Sequence, residues 1–363
     1  MARGIDMAGR GVGRRQWRNP HASACRRGAN GSLPEANRER SLERLANRTG
    51  SLQTRAMSLA RALLLRASRS QWLAEQFRRR AFARRAVRRF MPGEDVEAAL
   101  DAASVFAASG IGSIISALGE RVNTAAEAES VRRHYATVID AIQARGLPAQ
   151  LSVKLTHLGL DVDRERCADS VLALCAHAGA AGAMLWIDME ESHYVDPTLD
   201  LYRRARAEHT NIGVCLQSYL RRTPADLESL LAAGASVRLV KGAYREPPSI
   251  AYPRKADTDA AFHALGVRML EAAAPDRPQV FGTHDLALVE RLRSHAASAR
   301  LAADAWEVHM LYGIRSADQR ALAAGGVRVR VLISYGTHWF PWYVRRLAER
   351  PANVWFVVRS LVS

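Results

Sequence analysis

Residues 150–189 read QLSVKLTHLGLDVDRERCADSVLALCAHAGAAGAMLWIDM and contain one complete unit of a repeating pattern. A short apolar run, Gln150–Leu155, is followed by a stretch rich in Ala, Leu and Arg and then by a second apolar run, Ala183–Met189. Short apolar runs predict buried strands, and the spacing of apolar residues between them predicts a helix. A strand, a helix and a strand in this order predict two parallel strands joined by a right-handed crossover.

The same alternation runs from Glu94 to near the end of the chain. Glu94–Ser109 predicts a helix, and Thr124–Arg145 predicts a long amphipathic helix with Thr124 as its N-cap. Including the two strands above, eight strands are predicted, with Trp339–Glu349 as the closing helix. They are Ile111–Leu118, Gln150–Leu155, Ala183–Met189, Ile212–Tyr219, Val237–Tyr244, Gln279–Thr283, Trp306–Met310 and Val327–Ser334.

Eight strand–helix units over about 240 residues predict a (β/α)8 barrel of the TIM type. A doubly wound open sheet is the alternative. The sequence Gly110-Ile111-Gly112 lacks the third glycine of a dinucleotide-binding fingerprint, and no Walker A loop is present, so neither common nucleotide motif supports that alternative.

The positive charge of the chain is confined to its N-terminal part. The 363 residues carry a formal net charge of +16. Residues 1–90 hold 22 Arg and five acidic residues, a net of +17, whereas the other 273 residues hold 30 basic and 31 acidic residues, a net of −1. We therefore expect no specific nucleic-acid partner for the main domain. Contact of the basic appendage with nucleic acid or anionic lipid stays open.

Composition divides the chain into three segments. Residues 1–53 are rich in Arg, Gly, Ser and Asn with little apolar periodicity, which predicts a disordered leader. Residues 54–93 have a helical pattern whose polar face is almost wholly Arg, and we expect them to pack on the following domain, with peripheral membrane contact as the alternative. Residues 94–363 form the predicted barrel domain.

Cysteine usage and hydropathy predict a cytoplasmic protein. The four cysteines include no CxxC pair, and Cys167 and Cys175 lie in an apolar helical pattern typical of buried, reduced thiols. No signal-peptide pattern is present near the N-terminus. The longest uncharged run, Ala102–Gly119, contains four Ser and three Gly, so we reject a transmembrane helix there.

The active site of a barrel lies where the strands end and the loops begin, so the predicted strand ends supply the candidate residues. In strand order, these are Lys154; Asp188, Met189 and Glu190; Gln217; Arg238 to Tyr244; Thr283, His284 and Asp285; Glu307 and His309; and Arg345 and Arg346.

Several roles are compatible with these residue types. Lys154 is one of only three lysines in an Arg-rich chain, which suggests a need for a compact ammonium, or a salt bridge at the barrel rim. Asp188 could be a general base, a positioning carboxylate or the partner of Lys154. The acidic run from Asp188 to His193 could ligate a metal, but no HxH or HxxxH pattern supports it, and we predict no metal site. No GxSxG elbow supports a serine triad.

The stretch Leu332–Pro351, LISYGTHWFPWYVRRLAERP, places Arg345 and Arg346 at the start of a predicted helix that follows a strand. Two guanidiniums there suit a small carboxylate, and a solvated helix face is the other reading; Glu349 is spaced to steady either arginine. Together with Lys154 and Arg238, the pair predicts a cationic site around one aspartate. Such a site suits a small anionic substrate, a phosphate-bearing cofactor or both.

These motifs resemble those of the proline dehydrogenase family, in particular its monofunctional bacterial members. The resemblance covers residues from about 90 to 360 and is most specific in RLVKGAY (238–244) and RRLAERPAN (345–353). The other segments that carry it are LSVKLTHLGLD (151–161), WIDME (186–190), VCLQSYLRRT (214–223), FGTHD (281–285) and WEVHMLYGIR (306–315).

The resemblance implies a set of site residues. Arg345 and Arg346 would bind the proline carboxylate beside Lys154, Tyr244 would line the pocket, and Glu349 would lie close by. Asp188 and Arg238 would be the catalytic residues, Asp188 holding Lys154 and the pocket in register and Arg238 lying near the reactive edge of the flavin. The FAD contacts implied are Met189, Gln217, Arg238, Val240, Lys241, Gly242, Thr283 and His284.

The resemblance also implies the reaction and its partners. L-proline would be oxidised to 1-pyrroline-5-carboxylate, the first step of proline catabolism to glutamate, with FAD as cofactor and a membrane quinone as electron acceptor. Transient contact at the inner face of the cell membrane would follow, and a separate 1-pyrroline-5-carboxylate dehydrogenase would perform the second oxidation.

Two residues depart from the family pattern, because Leu332 and Trp342 occupy positions where tyrosines are expected. Both changes keep an apolar wall but remove a hydroxyl. Tolerance of substituted prolines therefore stays open, and one alternative is a related flavin barrel acting on a substituted proline or another small substrate. The basic tail supplies a second alternative, a catalytically silent barrel whose tail binds nucleic acid or membrane.

Overall fold

Eight parallel strands form a closed barrel in chain order, with β1 paired to β8, in a computed structural model that describes residues 87–340. The strands are β1 (Gly112–Ala117), β2 (Ala149–Val153), β3 (Leu185–Ile187), β4 (Ile212–Gln217), β5 (Ser236–Val240), β6 (Gln279–Gly282), β7 (Trp306–Leu311) and β8 (Val329–Tyr335). The barrel prediction is confirmed and the open-sheet alternative is wrong, because no strand edge separates β8 from β1.

One helix precedes the barrel and seven connect successive strands within the described residues. They are α1 (Val96–Ala107), α2 (Ala125–Ala144), α3 (Arg164–Ala180), α4 (Val195–Glu208), α5 (Thr223–Ala232), α6 (Lys255–Glu271), α7 (Leu286–Ser298) and α8 (Ser316–Ala324). The leader 1–53, the segment 54–93 up to residue 86, and the predicted helix after residue 340, with Arg345, Arg346, Trp342 and Glu349, lie outside the described residues.

Local chemistry explains where the helices begin. The Thr124 side chain accepts a hydrogen bond from the Glu127 amide, and Asp163 caps α3 in the same way through the Arg166 amide. Such caps satisfy amides that have no partner inside the helix. The predicted cap at Thr124 is confirmed.

β1 to β6 end earlier than predicted at the carboxyl face, whereas β7 and β8 end one residue later. β5 was predicted to run to Tyr244, but it ends at Val240. Gly242 has a φ of +110°, a left-handed conformation that breaks the strand and that residues with a Cβ rarely adopt. Residues 241–244 are therefore loop residues at the mouth of the barrel, which is where the site requires them.

Side chains alternate between the two faces of the barrel wall. Residues such as Leu151, Val153 and Ile187 are fully buried and belong to the apolar core, which includes the helices. The intervening positions carry polar side chains, among them Ser152 and Asp188. A period of two therefore separates a hydrophobic outer layer from a polar interior.

The amino end of the interior is closed by a buried ion cluster. Glu307 forms ion pairs with Arg328 and Arg330, both at 2.7 Å, and its Oε2 lies 3.2 Å from His309 Nε2. Glu307 is the second residue of β7, so its assignment to the carboxyl end was wrong.

Two further sequence expectations can be compared with the structure. Cys167 and Cys175 are buried free thiols, as predicted. Within residues 87–340, no helix is both long enough and apolar enough to cross a membrane.

Candidate active site

Lys154, Asp188 and Arg238 meet at the carboxyl end of the barrel. Lys154 Nζ lies 2.8 Å from Asp188 Oδ2, and Arg238 Nη2 donates to Asp188 Oδ1. The three residues come from or directly follow β2, β3 and β5, which the closed barrel brings to one end. Arg238 is buried, whereas Lys154 and Asp188 are 21% and 18% exposed, so the cluster opens toward the mouth on the Lys154 side.

The electrostatics of the cluster fix its charge state. Burial disfavours the ionised carboxyl of Asp188, but the charges of Lys154 and Arg238 outweigh burial and lower its pKa to about 2. Burial alone would lower the pKa of Lys154, but nearby acidic groups, with Asp188 foremost, raise it above the usual lysine range. Both groups are ionised at neutral pH. A carboxyl with a pKa of about 2 is a poor proton acceptor, so the geometry favours a positioning role for Asp188 over general base.

Two small side chains flank the Asp188–Arg238 pair. Ser152 Oγ donates to Asp188 Oδ1 at 2.8 Å and accepts from Arg238 Nη2 at 2.7 Å. Cys215 Sγ accepts from Arg238 Nε at 2.7 Å and donates to Asp188 Oδ1 at 3.9 Å. The face of the guanidinium lies 5.1 Å from the ring centre of Trp186, within the range of a cation–π contact.

The FAD-contact candidates form a continuous arc along the ends of β3 to β6. Gln217 Nε2 donates to the carbonyls of Met189 and Glu190, both at 3.2 Å, which ties the end of β4 to the end of β3. The Val240 carbonyl accepts from the Ser218 amide at 2.8 Å, and the Lys241 carbonyl accepts from the Tyr219 amide at 3.0 Å. These bonds extend the β4–β5 pairing into the loops.

The remaining candidates of the arc come from the ends of β5 and β6. Thr283 Oγ1 accepts from the Asp285 amide at 3.1 Å, and His284 Nε2 accepts from the Leu311 amide at 3.2 Å. The second bond fixes Nε2 of His284 as the unprotonated nitrogen. A Cβ on Gly242 would lie 2.1 Å from the ring of Tyr219, so only glycine fits there.

The arc has the chemistry to receive a flavin ring. Gln217 Oε1 and Arg238 Nη1 are buried and have no hydrogen-bond partner among residues 87–340. Buried polar atoms are normally paired, so an acceptor and a donor of this kind indicate a missing partner. The flavin ring carries both N–H donors and carbonyl acceptors, and the residues present therefore fit it.

Lys241 belongs to a separate ionic network on the outer side of this arc. Its Nζ lies 2.6 Å from Asp259 Oδ1 and 2.9 Å from Asp285 Oδ2, and Lys255 pairs with the same two carboxylates. These contacts join the β5 loop to the starts of α6 and α7. The network fixes the loop in which Lys241 and Gly242 lie.

Tyr244 lies in the loop after β5, and Leu332 lies in the middle of β8. Tyr244 is half-buried and is close enough to Lys154 to contribute to its raised pKa. Leu332 is half-buried on β8, in register with Ile114 of β1 and Leu311 of β7. The position of Leu332 is therefore apolar on both sides, as expected for a wall residue.

Sequence reasoning did not single out Ser152, Cys215 or Trp186. The signal was present, because each lies two residues before a candidate at a strand end. Ser152 precedes Lys154, Cys215 precedes Gln217, and Trp186 precedes Asp188. Residues two apart on a strand face the same side. Counting back by two from each strand end would have found all three.

Known proteins resemble this chain over most of its length. The family model for proline dehydrogenase matches residues 99–359. The chain is 35% identical to proline dehydrogenase 1 of Bacillus subtilis strain 168 over 276 residues, covering 76% of this chain and 90% of that protein. It is also 35% identical to the proline dehydrogenase of Deinococcus radiodurans over 281 residues, covering 76% and 89%.

A solved structure shares the fold. The proline utilization A (PutA) protein of Bdellovibrio bacteriovorus superposes with a TM-score of 0.68 at 22% identity, over 73% of this chain and 32% of that chain. The chain thus spans about a third of the PutA protein but nearly the whole of the two bacterial relatives above. Because the family model covers most of the sequence and these relatives align over nearly their full length, the chain belongs to the proline dehydrogenase family.

Proposed function

We propose that this protein is an FAD-dependent enzyme that oxidises L-proline to 1-pyrroline-5-carboxylate, the first step in converting proline to glutamate. The observation that carries the proposal is the cluster of Lys154, Asp188 and Arg238 at the carboxyl end of a barrel that belongs to this family. Two cations share one aspartate there, and a substrate carboxylate can use the charge that remains.

The residues of the chain bind and orient the substrate in this proposal. Lys154 supplies a fixed ammonium beside the pocket, because Asp188 holds its Nζ at 2.8 Å. Arg345 and Arg346 add the bidentate contact to the carboxylate that a lysine cannot make. Holding the ring in one orientation supplies much of the rate in a reaction between two bound groups.

The second half of the site would hold the cofactor. Met189, Gln217, Val240, Lys241, Gly242, Thr283 and His284 are the proposed FAD contacts, together with Arg238, whose buried cation favours negative charge on the ring. When bound, FAD would supply the two-electron acceptor that no protein side chain provides. The mouth of the barrel, with Tyr244 and Leu332, would keep water away from the reacting atoms.

The electrons and the product require partners. We propose a membrane quinone as the electron acceptor, reached by transient contact of a cytoplasmic protein with the inner face of the cell membrane. A separate 1-pyrroline-5-carboxylate dehydrogenase would consume the product. We propose no role for nucleic acid.

The decisive experiment is the visible spectrum of the purified protein. We expect a yellow protein whose flavin absorbance is bleached by L-proline under anaerobic conditions, with D-proline as the control. A colourless protein that cannot be reconstituted with FAD would refute the proposal. Bleaching by NADH but not by proline would indicate a related flavin barrel that is reduced by NADH and acts on another substrate.

Leu332 favours one variation on this proposal. A leucine at a position expected to carry a tyrosine is smaller and has no hydroxyl, so it would leave room beside the proline ring for a substituent. We expect hydroxyproline to be accepted better than by a Leu332→Tyr variant. Equal discrimination by both proteins would show that position 332 does not select the substrate.

Two variants test the residues outside residues 87–340. Arg345→Met or Arg346→Met should raise the KM for proline steeply while FAD stays bound. Normal proline saturation in both variants would contradict the carboxylate assignment.

Deleting residues 1–50 should leave turnover with a soluble dye intact, and a loss of that turnover would show that the leader is part of the enzyme.

A further inference from the structure

We propose that Ser152 and Cys215 are positioning residues that together fix the orientation of the Arg238 guanidinium in the active site. The inference rests on the proposed function for its kinetic meaning, but its structural content can be tested separately. Neither residue was assigned a role by sequence reasoning.

The two side chains lie on β2 and β4, the strands on either side of β3, and make the same pair of contacts. Ser152 on β2 is fully buried; its hydroxyl accepts from Arg238 Nη2 at 2.7 Å and donates to Asp188 Oδ1 at 2.8 Å. Cys215 on β4 is 3% exposed; its sulfur accepts from Arg238 Nε at 2.7 Å and donates to the same Asp188 oxygen at 3.9 Å. Each therefore bridges the cation and the anion.

A neutral group that bridges a buried ion pair can replace part of the hydration that the pair has lost. An ion pair removed from water loses hydration that the partner charge alone does not replace. Ser152 and Cys215 act as both acceptor and donor, so they supply part of that lost hydration without adding charge. Burial raises the pKa of the Cys215 thiol to about 11, although Arg238 opposes the shift, and so the thiol keeps the proton that it donates.

These contacts leave the guanidinium one orientation. Nε and Nη2 are held at two different edges, and the face lies against Trp186. Of the guanidinium nitrogens, only Nη1 has no partner among residues 87–340. A planar group held at two edges and one face cannot rotate about its Cδ–Nε bond, so Ser152 and Cys215, together with the ion pair to Asp188, determine the direction of Nη1.

Substitutions at Cys215 separate positioning from packing. Cys215→Ser keeps an acceptor and a donor, whereas Cys215→Ala and Cys215→Val keep only apolar volume. If Arg238 is positioned by the sulfur, kcat with L-proline should be highest for the Ser variant and at least about tenfold lower for the Ala and Val variants. A tenfold loss is the magnitude expected when a hydrogen bond to a charged group is removed. If the residue only fills space, the order is reversed, because burying a serine hydroxyl there would cost more than burying valine.

The flavin potential provides a readout that packing does not move. A misdirected Arg238 cation stabilises the reduced flavin less, so the midpoint potential should become more negative in Cys215→Ala and Ser152→Ala and return in Cys215→Ser. A tenfold change in the equilibrium with a reference dye corresponds to about 30 mV for two electrons. Unchanged potentials in both alanine variants would overturn the proposal.

A matched control is available on a neighbouring strand. Ser113 of β1 is also buried, at 2% exposure, and its hydroxyl has no partner among residues 87–340. Ser113→Ala should leave kcat and the midpoint potential unchanged. A loss equal to that of Ser152→Ala would show that any buried serine in the barrel has the same effect, which would also overturn the proposal.

A double-mutant cycle distinguishes failure of this inference from failure of the proposed function. Urea unfolding of Cys215→Ala, Arg238→Met and the double variant should show a coupling of about tenfold or more in the unfolding equilibrium constant. This coupling does not depend on proline turnover. Absence of coupling overturns the positioning role, whereas coupling in a protein that proline does not reduce would overturn only the proposed function.

Discussion

Replacing Asp188 by Asn should destabilise the barrel and weaken proline binding together. Asp188 is the only carboxylate among residues 87–340 in direct contact with Lys154 and Arg238, and it bonds one of them through each oxygen. Asparagine keeps the shape but removes the charge and replaces one acceptor by a donor that faces a cation. Lys154 and Arg238 would then be two adjacent cations without a counter-ion.

The structure sets the size of the expected change. The pKa of Asp188 falls from 3.8 to about 2, and a difference of about 1.8 units at 1.36 kcal/mol each corresponds to roughly 2 kcal/mol. That stability is present above pH 3.8 and is lost as pH falls toward 2. Breaking a buried ion pair by removing one partner typically costs about 3–5 kcal/mol. We therefore expect Asp188→Asn to lose about 2–5 kcal/mol at pH 7.

The assay is urea unfolding at pH 7, combined with proline titration of the same samples. Asp200→Asn is the matched control, because Asp200 pairs with Arg164 and Arg203 on the surface and is 64% exposed. Exposed pairs contribute little, so the control should change unfolding by less than about 0.5 kcal/mol. The KM for proline should rise in Asp188→Asn only.

Two results would refute the reasoning. If Asp188→Asn unfolds within about 0.5 kcal/mol of the wild type, the ion pair is not a stabilising contact in solution. If stability falls but proline saturation is unchanged, the cluster is structural and the substrate binds elsewhere. A second substitution, Lys154→Met, added to Asp188→Asn should recover part of the lost stability, because it removes one of the two unpaired cations.

Three further predictions concern other parts of the barrel. Burial raises the pKa of Glu190 from 4.5 to about 7, so the native state resists its ionisation and its contribution to stability falls as pH rises from 4.5 through 7. In urea unfolding from pH 5 to 8, the stability of Glu190→Gln relative to the wild type should therefore rise by roughly 2–3 kcal/mol. A difference that stays constant over this pH range would contradict the prediction. Glu307→Gln should cost about 3–5 kcal/mol of unfolding free energy, since two arginines lose their partner, yet leave the KM for proline unchanged; a changed KM would mean that the amino end reaches the site. Gly242→Ala should reduce the FAD content of the purified protein, because its Cβ would meet the ring of Tyr219. The control is Gly146→Ala, which is also at positive φ but has open space around it and should keep full FAD content. Equal FAD content in both variants would remove Gly242 from the cofactor site.

The sequence was sufficient to predict the order of strands but not where they end. All eight predicted strands are present, because each is a short apolar run and parallel strands buried on both faces require such runs. Their ends were placed too late in β1 to β6, most of all in β5, and in β3, β4 and β5 the polar and apolar alternation continues at Asp188, Ser218 and Lys241, past the last strand residue. Alternation is a property of side chains, whereas a strand ends where backbone pairing stops.

The site was predictable as a set of strand ends but not as a set of contacts. Lys154 and Asp188 could be placed at one rim by the barrel rule alone, with their pairing as one of several options. Which atoms of Arg238 would be used, and that a thiol would accept from Nε, depend on the register between β4 and β5, where Cys215 faces Arg238. Register follows from tertiary packing and leaves no local signal in the sequence. Glu307 was misplaced for a different reason: the predicted strand, Trp306–Met310, already makes Glu307 its second residue, and the barrel rule applied to that strand would have put it at the amino end.

Each end of the barrel holds one carboxylate between two cations, and the two ends differ in the other partners of those cations. At the amino end, Arg328 and Arg330 pair with Glu307 and also donate to the backbone carbonyls of Asp304 and Pro148. At the carboxyl end, Asp188 likewise serves two cations, but Lys154 keeps 21% of its surface exposed toward the mouth. An ammonium has three donors, and Asp188 occupies only one face of it. The direct contacts of Lys154 and Arg238 thus include one negative charge for two positive charges, and a bound carboxylate would restore neutrality at the exposed side. We therefore expect an anionic ligand to bind beside Lys154, at the same cluster that stabilises the folded barrel.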